Sequence, residues 1–279
     1  VSGRRVFVRL KGGIGNQLFQ FAYALLLAGG RSENVHCVLE YFRRDARHGG
    51  FALAQLLGPE VRCVDSVPTG GRLLYVNADL LADEDLSSLA QTPFDMLVEG
   101  YFQNIGNVVP VLAAMQQMFR RQFDEAEFVA RLRAQAGSAA REMLVAIHLR
   151  RGDFLDPAIR QVHGVPTVAS MVGCLHRLEP QAFTAIVFSD SQEPIDLPCR
   201  MVNLSRLRDG SLAQDIDQFR LMSCCSAIIA SNSTFSYWAG LLSDRVEQLL
   251  IPDPWMRSGS VRTAGLLKAG VQAYATELA

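Results

Sequence analysis

The sequence predicts an α/β protein built as two Rossmann-like domains facing a cleft. Three observations carry that expectation. Short apolar, β-branched runs alternate with longer helical runs along the whole chain. Runs such as Leu144–Ile147 and Ile186–Phe188 are apolar at every position, which suits parallel strands covered on both faces. The pair Gly137-Ser138 separates two sets of this alternation, dividing the chain into domains 1–138 and 139–279.

Taken in order, Val6–Leu10 reads as the first strand and Gly12-Gly13-Ile14-Gly15 as a turn. Asn16 stands where an N-cap belongs, residues 17–28 form an apolar helix, and Gly29-Gly30 stops it. Val35–Glu40, Leu73–Asn77 and Met96–Tyr101 read as strands, and 108–119 and 125–136 as helices. In the second half, Leu144–Leu149, Thr184–Ser189, Arg200–Leu204, Ala227–Ala230 and Glu247–Ile251 read as strands. Helices are expected at 168–178, 212–225, 234–242 and 261–277.

Composition removes several classes of function. The chain has 279 residues, 49% of them apolar, with 27 Lys plus Arg against 28 Asp plus Glu and a net charge of -1. Disorder requires low hydrophobicity and high net charge. General nucleic-acid binding requires a basic surplus. The mean hydropathy of +0.13 raises the question of a membrane. No apolar run reaches the ~18 residues of a span. Val1-Ser2-Gly3-Arg4-Arg5 leads directly into strand pattern with no room for a signal peptide, so the expected location is the cytoplasm, the alternative being an N-terminal anchor ahead of Val1. The six cysteines, at 37, 63, 174, 199, 224 and 225, show no metal or redox spacing and read as free, mostly buried thiols. Asn203-Leu204-Ser205 and Asn232-Ser233-Thr234 match a glycosylation sequon that has no meaning in that compartment.

Four short motifs lie at the carboxyl ends of expected strands, where open α/β sheets bind ligands. The first is His148-Leu149-Arg150-Arg151-Gly152-Asp153. An Arg delivered to a strand end offers a fixed cation and a planar donor fork that matches two phosphate oxygens. Gly152 permits a close turn past a ligand, and Asp153 can anchor a guanidinium or accept a proton. The alternative is a surface turn with a local ion pair. The second is Ser231-Asn232-Ser233-Thr234-Phe235-Ser236, either a plain helix cap or a helix N-terminus offering N–H groups to phosphate.

The third motif, Gly12-Gly13-Ile14-Gly15-Asn16-Gln17, partly matches a dinucleotide fingerprint through Gly13 and Gly15. Leu18 stands in place of the third glycine, which weakens a nicotinamide reading although Glu40 ends the next strand. The polar pair Asn16-Gln17 ahead of an apolar helix reads as a ligand-facing start. In the fourth, Phe188-Ser189-Asp190-Ser191, the acid suits a sugar hydroxyl or base edge, or equally a turn cap. Asp215-Ile216-Asp217 and Asp83-Glu84-Asp85 have the spacing of a metal–nucleotide site, but both open helical patterns, where acids complement the dipole. No metal site is expected.

Gly12–Gln17 with Leu18-Phe19-Gln20-Phe21-Ala22, then Gly100-Tyr101-Phe102-Gln103, His148–Asp153 and Asn232–Trp238 together resemble the bacterial-type α-1,2-fucosyltransferases of glycosyltransferase family 11. The resemblance spans about residue 6 to residue 251. It implies a GT-B-like fold, with GDP-β-L-fucose as donor and no essential metal. It implies inverting transfer to the 2-hydroxyl of a galactoside. Arg150 would hold the departing phosphate, His148 would lie near the nucleotide, and Asp190 would contact the guanine side. Ser233 and Thr234 would bind phosphate oxygens, with Gly13, Gly15, Asn232 and Phe235 completing the donor site. Asn16 would face the reacting centre from the N-terminal, acceptor-side domain. Asp153 and Glu99 are the candidate bases, although Asp153 could equally orient Arg150 or Arg151. Ser191 stands where relatives often carry a second acid. Three rival readings accompany this one: a GDP-linked transferase of another deoxysugar, a non-catalytic sugar-nucleotide binder, and an NAD-dependent oxidoreductase. The expected acceptor is a galactose-containing glycan. A lipid-linked acceptor and peripheral contact with the inner membrane face fit the apolar composition.

Overall fold

The computed structural model describes residues 4–43, 50–68, 72–77, 89, 92–139, 141–178, 182–190, 201–203 and 215–278. It divides into two compact units, Val1–Phe123 and Asp124–Ala279. The sequence expectation put the boundary at 138. The helix that makes the difference starts with Asp124, whose carboxylate accepts hydrogen bonds from the N–H groups of Ala126 (2.9 Å) and Glu127 (3.2 Å). The Gly137-Ser138 turn is therefore the end of that helix and lies inside the second unit.

The first unit holds strands β1 (Val6–Arg9), β2 (Val35–Val38), β3 (Arg62–Val64), β4 (Leu73–Asn77) and β5 (Asp95–Glu99) in the order β3-β2-β1-β5-β4. All are parallel. Helices α1 (Ile14–Leu27), α2 (Leu53–Leu57) and α3 (Val109–Arg120) accompany them, and α1 packs on β1, β2 and α3. Phe7, Val38 and Leu97 make an apolar cluster with Val64, Val67 and Leu73. Helix α1 begins three residues before the expected start. Gly13 is its N-cap, so Asn16 lies within the first turn. Gly12 is the glycine the turn requires, with φ +76° and only 2.8 Å between an added Cβ and Asn16 Nδ2.

The second unit holds β6 (Met143–Leu149), β7 (Phe183–Ser189), β8 (Met201–Asn203), β9 (Ala227–Ile229), β10 (Gln248–Asp253) and β11 (Val271–Ala275). The sheet order β11-β10-β9-β6-β7-β8 is the doubly wound 3-2-1-4-5-6 pattern, all parallel. Its helices are α4 (Glu125–Ala136), α5 (Pro157–His163), α6 (Val168–Leu175), α7 (Asp215–Ser223) and α8 (Thr234–Leu242). Val145, Ile147, Leu149, Ala185, Val187 and Ile229 bury one face together with Met171, Cys174 and Leu175 of α6. α7 and α8 pack on each other, and α8 lies on β9 and β10.

One expectation fails outright. Residues 261–277 form a short 3-10 turn, Thr263–Leu266, followed by strand β11, not a helix. Gly270 has φ +84° and breaks any helical run there. The side chain that secures the strand is Tyr274, which is 1% exposed and whose hydroxyl donates to the Ala230 carbonyl at 2.7 Å. That partner is 44 residues away in sequence. Cys37, Cys174, Cys224 and Cys225 are free and buried, while Cys63 is free and exposed. Cys199, Ser191 and the 83–85 acids lie outside the described residues.

Candidate functional site

In the second sheet the chain leaves neighbouring strands in opposite directions at one point, between β6 and β9, whereas in the first sheet β1 and β5 are simply neighbours at its centre. Such a switch point leaves a crevice at the strand carboxyl ends. The motifs singled out in the sequence fall at the carboxyl ends of strands. Gly12–Gln17 and Gly100–Gln103 follow β1 and β5; His148–Asp153 and Ser231–Ser236 follow β6 and β9.

In the second unit Arg150 emerges from the end of β6 and meets two carboxylates. Its Nη2 lies 2.7 Å from Asp153 Oδ1 and its Nη1 3.1 Å from Asp190 Oδ2. Asp190 follows the neighbouring strand β7, and its Oδ1 also accepts a hydrogen bond from the Arg151 N–H at 2.7 Å. Gly152 makes this closeness possible: a Cβ there would stand 2.7 Å from Asp190 Oδ2. The Arg150 N–H reaches Ser231 Oγ at 3.4 Å, and the Ser231 N–H donates to the His148 carbonyl at 3.1 Å. The first and second motifs are therefore stitched together backbone to backbone. The Arg150 guanidinium lies 5.7 Å from the Phe154 ring centroid, and Phe154 stacks on His163 at 4.7 Å.

His148 is 7% exposed and shares a 2.8 Å hydrogen bond with Ser236 Oγ through Nδ1. Burial, reinforced by the Arg150 charge and opposed by Asp190, holds its imidazole down to about 3. It is a neutral group beneath a cation. Phe235 lies 5.7 Å from the His148 ring and packs edge-on against Phe219. Ser233 caps α8 by accepting from the Phe235 N–H at 3.4 Å, and Thr234 is the first residue of that helix. The capping reading and the phosphate reading of this motif are compatible, since the first turn carries the positive end of the helix dipole. Asn232 behaves differently from the expectation. It is 3% exposed, and its Nδ2 donates to the carbonyls of His163 (2.9 Å) and Gly164 (3.0 Å), so it holds the end of α5.

In the first unit, Gln17 is fully buried and serves backbone, not a ligand. Its Nε2 donates to the Gly12 and Gly50 carbonyls, both at 2.9 Å, and its Oε1 accepts from the Ala52 N–H at 3.2 Å. Gln20 ties the loops after β1 and β5: its Oε1 accepts from the Lys11 N–H (3.0 Å) and its Nε2 donates to the Gly100 carbonyl (3.1 Å). Asn16 remains at the surface of the turn, where its Oδ1 accepts from Gln103 Nε2 at 3.0 Å. Gly13 precedes α1 and Gly15 is buried in its first turn. Glu99 pairs with Arg9 at 3.0 Å and accepts from the Tyr75 hydroxyl at 3.2 Å. Burial works to raise its carboxyl, but the hydrogen bonds from Arg9 and Tyr75 and the charges of Arg9 and Lys11 prevail and hold it below the usual range.

Among the described residues no group of three or more His, Cys, Asp or Glu could hold a metal ion. Asp215 and Asp217 sit in the first turn of α7, and Asp217 lies 3.8 Å from Arg220. Among the same residues no helix is long and apolar enough to cross a membrane.

A doubly wound parallel unit that presents a cation and a helix N-terminus at its switch point is built to hold a phosphate-bearing ligand. The model of one family, Glycosyl transferase family 11, matches residues 91–264. The chain belongs to glycosyl transferase family 11. An alpha-1,2-colitosyltransferase of Escherichia coli is 25% identical to it over 90% of this chain and 92% of its own length. Among solved structures, NodZ alpha-1,6-fucosyltransferase soaked with GDP-fucose is similar at TM-score 0.51 and 16% identity, over 88% of this chain and 94% of that one. The NodZ fucosyltransferase from Bradyrhizobium matches at TM-score 0.51 and 14% identity, over 89% and 95%. The likeness identifies the fold as GT-B, with two parallel-sheet α/β units.

Proposed function

We propose that this glycosyltransferase moves L-fucose from GDP-β-L-fucose to the 2-hydroxyl of a galactoside, with inversion at the anomeric carbon and without an essential metal. The observation that carries the reading is the Arg150 fork at the end of β6 beside the Ser233-capped start of α8. As the bond from the sugar to the diphosphate breaks, positive charge grows on the ring and negative charge on the leaving phosphate. Arg150 and the α8 N-terminus meet that negative charge without reorganising, and one such donor is typically worth about 3–4 kcal/mol. A neutral His148 supports the site without adding a charge.

Asp153 fits an orienting role better than a basic one. In an inverting displacement the acceptor attacks opposite the leaving group. A carboxylate 2.7 Å from the guanidinium that would grip the leaving phosphate stands on the leaving side. Glu99 is engaged with Arg9 and Tyr75. A dissociative transition state places little demand on a base, so a weak one suffices. Asn16 and its partner Gln103, in the loops after β1 and β5, are polar groups that suit contact with the acceptor. The proposed setting is the cytoplasm, at the inner membrane face, where a lipid-linked galactose-containing glycan would be extended.

The test is incubation with GDP-fucose and a panel of β-galactosides, followed by linkage analysis. An α-1,2-linked product is expected, and Arg150→Ala should abolish its formation with the melting temperature retained. A folded chain that binds GDP yet neither transfers nor hydrolyses the donor would instead be a binding protein. The Escherichia coli relative supports a second reading, with colitose in place of fucose. Colitose is fucose lacking the 3-hydroxyl, so GDP-colitose in the same assay separates the two by product mass.

A further inference from the structure

Arg150 is held by more than its two carboxylates. Phe154 is 9% exposed and lies under the guanidinium, 5.7 Å from ring centroid to the cationic carbon. A guanidinium over an aromatic face is attracted by the ring quadrupole and has its plane restricted. On the same ring stacks His163, at 4.7 Å and 25°. His163 is the last residue of α5, and its carbonyl accepts from Asn232 Nδ2 (2.9 Å) and from the Arg257 N–H (3.2 Å). The Ser258 N–H holds the preceding carbonyl, of Val162, at 3.0 Å. A chain of contacts thus runs from the end of β9 through Asn232 to His163, then Phe154, then Arg150.

We propose that Phe154 and His163 are positioning residues for Arg150, a stacked platform pinned by Asn232 that sets the plane of the guanidinium for the donor diphosphate. The carboxylates Asp153 and Asp190 fix where the fork lies. The platform removes its freedom to tilt out of the plane that two phosphate oxygens require. Asn232 therefore acts on the nucleotide through α5, which accounts for an amide buried to 3% within the Ser231–Ser236 motif.

This inference rests on the reading of Arg150 as the diphosphate ligand, and a double-mutant cycle on the full chain separates the two. GDP affinity is measured by calorimetry for the parent chain, Phe154→Leu, Arg150→Ala and the double variant, with thermal melting as the check on folding. Phe154→Leu should weaken GDP about three- to tenfold, the range expected for a desolvated guanidinium–ring contact. The same substitution should change affinity by less than about twofold in the Arg150→Ala background, because the platform has nothing left to position. Phe154→Tyr, which keeps the ring, should restore most of the affinity. An equal loss in both backgrounds would show that Phe154 acts only through general stability and would overturn the proposal. Unchanged GDP affinity in Arg150→Ala alone would overturn the phosphate-clamp reading, and this proposal with it.

Discussion

Asp190 and Arg150 pair at 3.1 Å across the carboxyl ends of neighbouring strands β7 and β6. The same carboxylate takes the Arg151 N–H at 2.7 Å. Both of its oxygens therefore face the Arg150–Gly152 loop. Asp190 is the acid that the family resemblance assigned to the guanine side. Its contacts describe a clamp on that loop, and the two roles make different demands on nucleotide selectivity.

If Asp190 clamps the loop, Asp190→Asn should weaken GDP and UDP in parallel, each by roughly tenfold, the worth of one charge-assisted hydrogen bond. The ratio of the two affinities should stay within about twofold of the parent value. Calorimetric titration with both nucleotides measures it. A collapse of the GDP preference would return Asp190 to the base.

Asp153→Asn distinguishes orientation from base catalysis. An orienting carboxylate acts on the leaving group, so transfer to a galactoside and slow hydrolysis of the donor should fall together, by roughly 10- to 100-fold. A general base for the acceptor would lower transfer while sparing hydrolysis. Parallel assays of the sugar product and of released GDP decide between them.

The neutral state of His148 has a pH signature. Its imidazole is held to about 3 by burial and by Arg150, below the ordinary 6.5 of the unfolded chain. Between those values the unfolded state binds the extra proton. His148 therefore contributes full stability above the unfolded value, and that contribution is lost as pH falls through the window towards 3. His148→Gln should remove up to about 2 kcal/mol of the stability difference between pH 7 and about pH 4.5. Urea unfolding at both pH values measures it, and an unchanged difference would contradict a buried neutral imidazole.

Gln20 tests the frame of the first unit. Gln20→Leu keeps the bulk and deletes both contacts, leaving the Lys11 N–H and the Gly100 carbonyl without their side-chain partners. The expected cost is about 2–4 kcal/mol, from two lost hydrogen bonds with desolvated ends. Thermal melting reads it. A loss below about 0.5 kcal/mol would mean that the loops hold themselves.

The strands and helices flanking the site were legible because their signals are local. Leu144–Ile147 and Ile186–Phe188 are apolar at every position, and the structure places both on interior strands of the six-stranded sheet. Gly12 and Gly152 were legible as turn residues, but the groups they approach, Asn16 and Asp190, appear only in the structure. Residues 261–277 misled because Ala, Leu and Lys favour a helix locally, whereas Tyr274 gains its partner only when β9 lies beside β10. Gln17 misled for a related reason. A polar residue at a helix start resembles a ligand contact until the loop at Gly50–Ala52 folds over it.

The sequence by itself determined the alternation of strand and helix, the set of motifs at strand ends and, through their order, the family. These are properties of short segments, where periodicity, turn residues and side-chain chemistry act over a few positions. The tertiary structure decided what each motif residue touches. It tied Asn232, one of the residues expected around the donor, to the end of α5 and set Asp190 against the Arg150 loop. It also brought Phe154 beneath the guanidinium and His163 onto the Phe154 ring. The Asn232–His163 and Asp190–Arg150 contacts join groups tens of residues apart, and only the packing of parallel strands side by side brings them within reach.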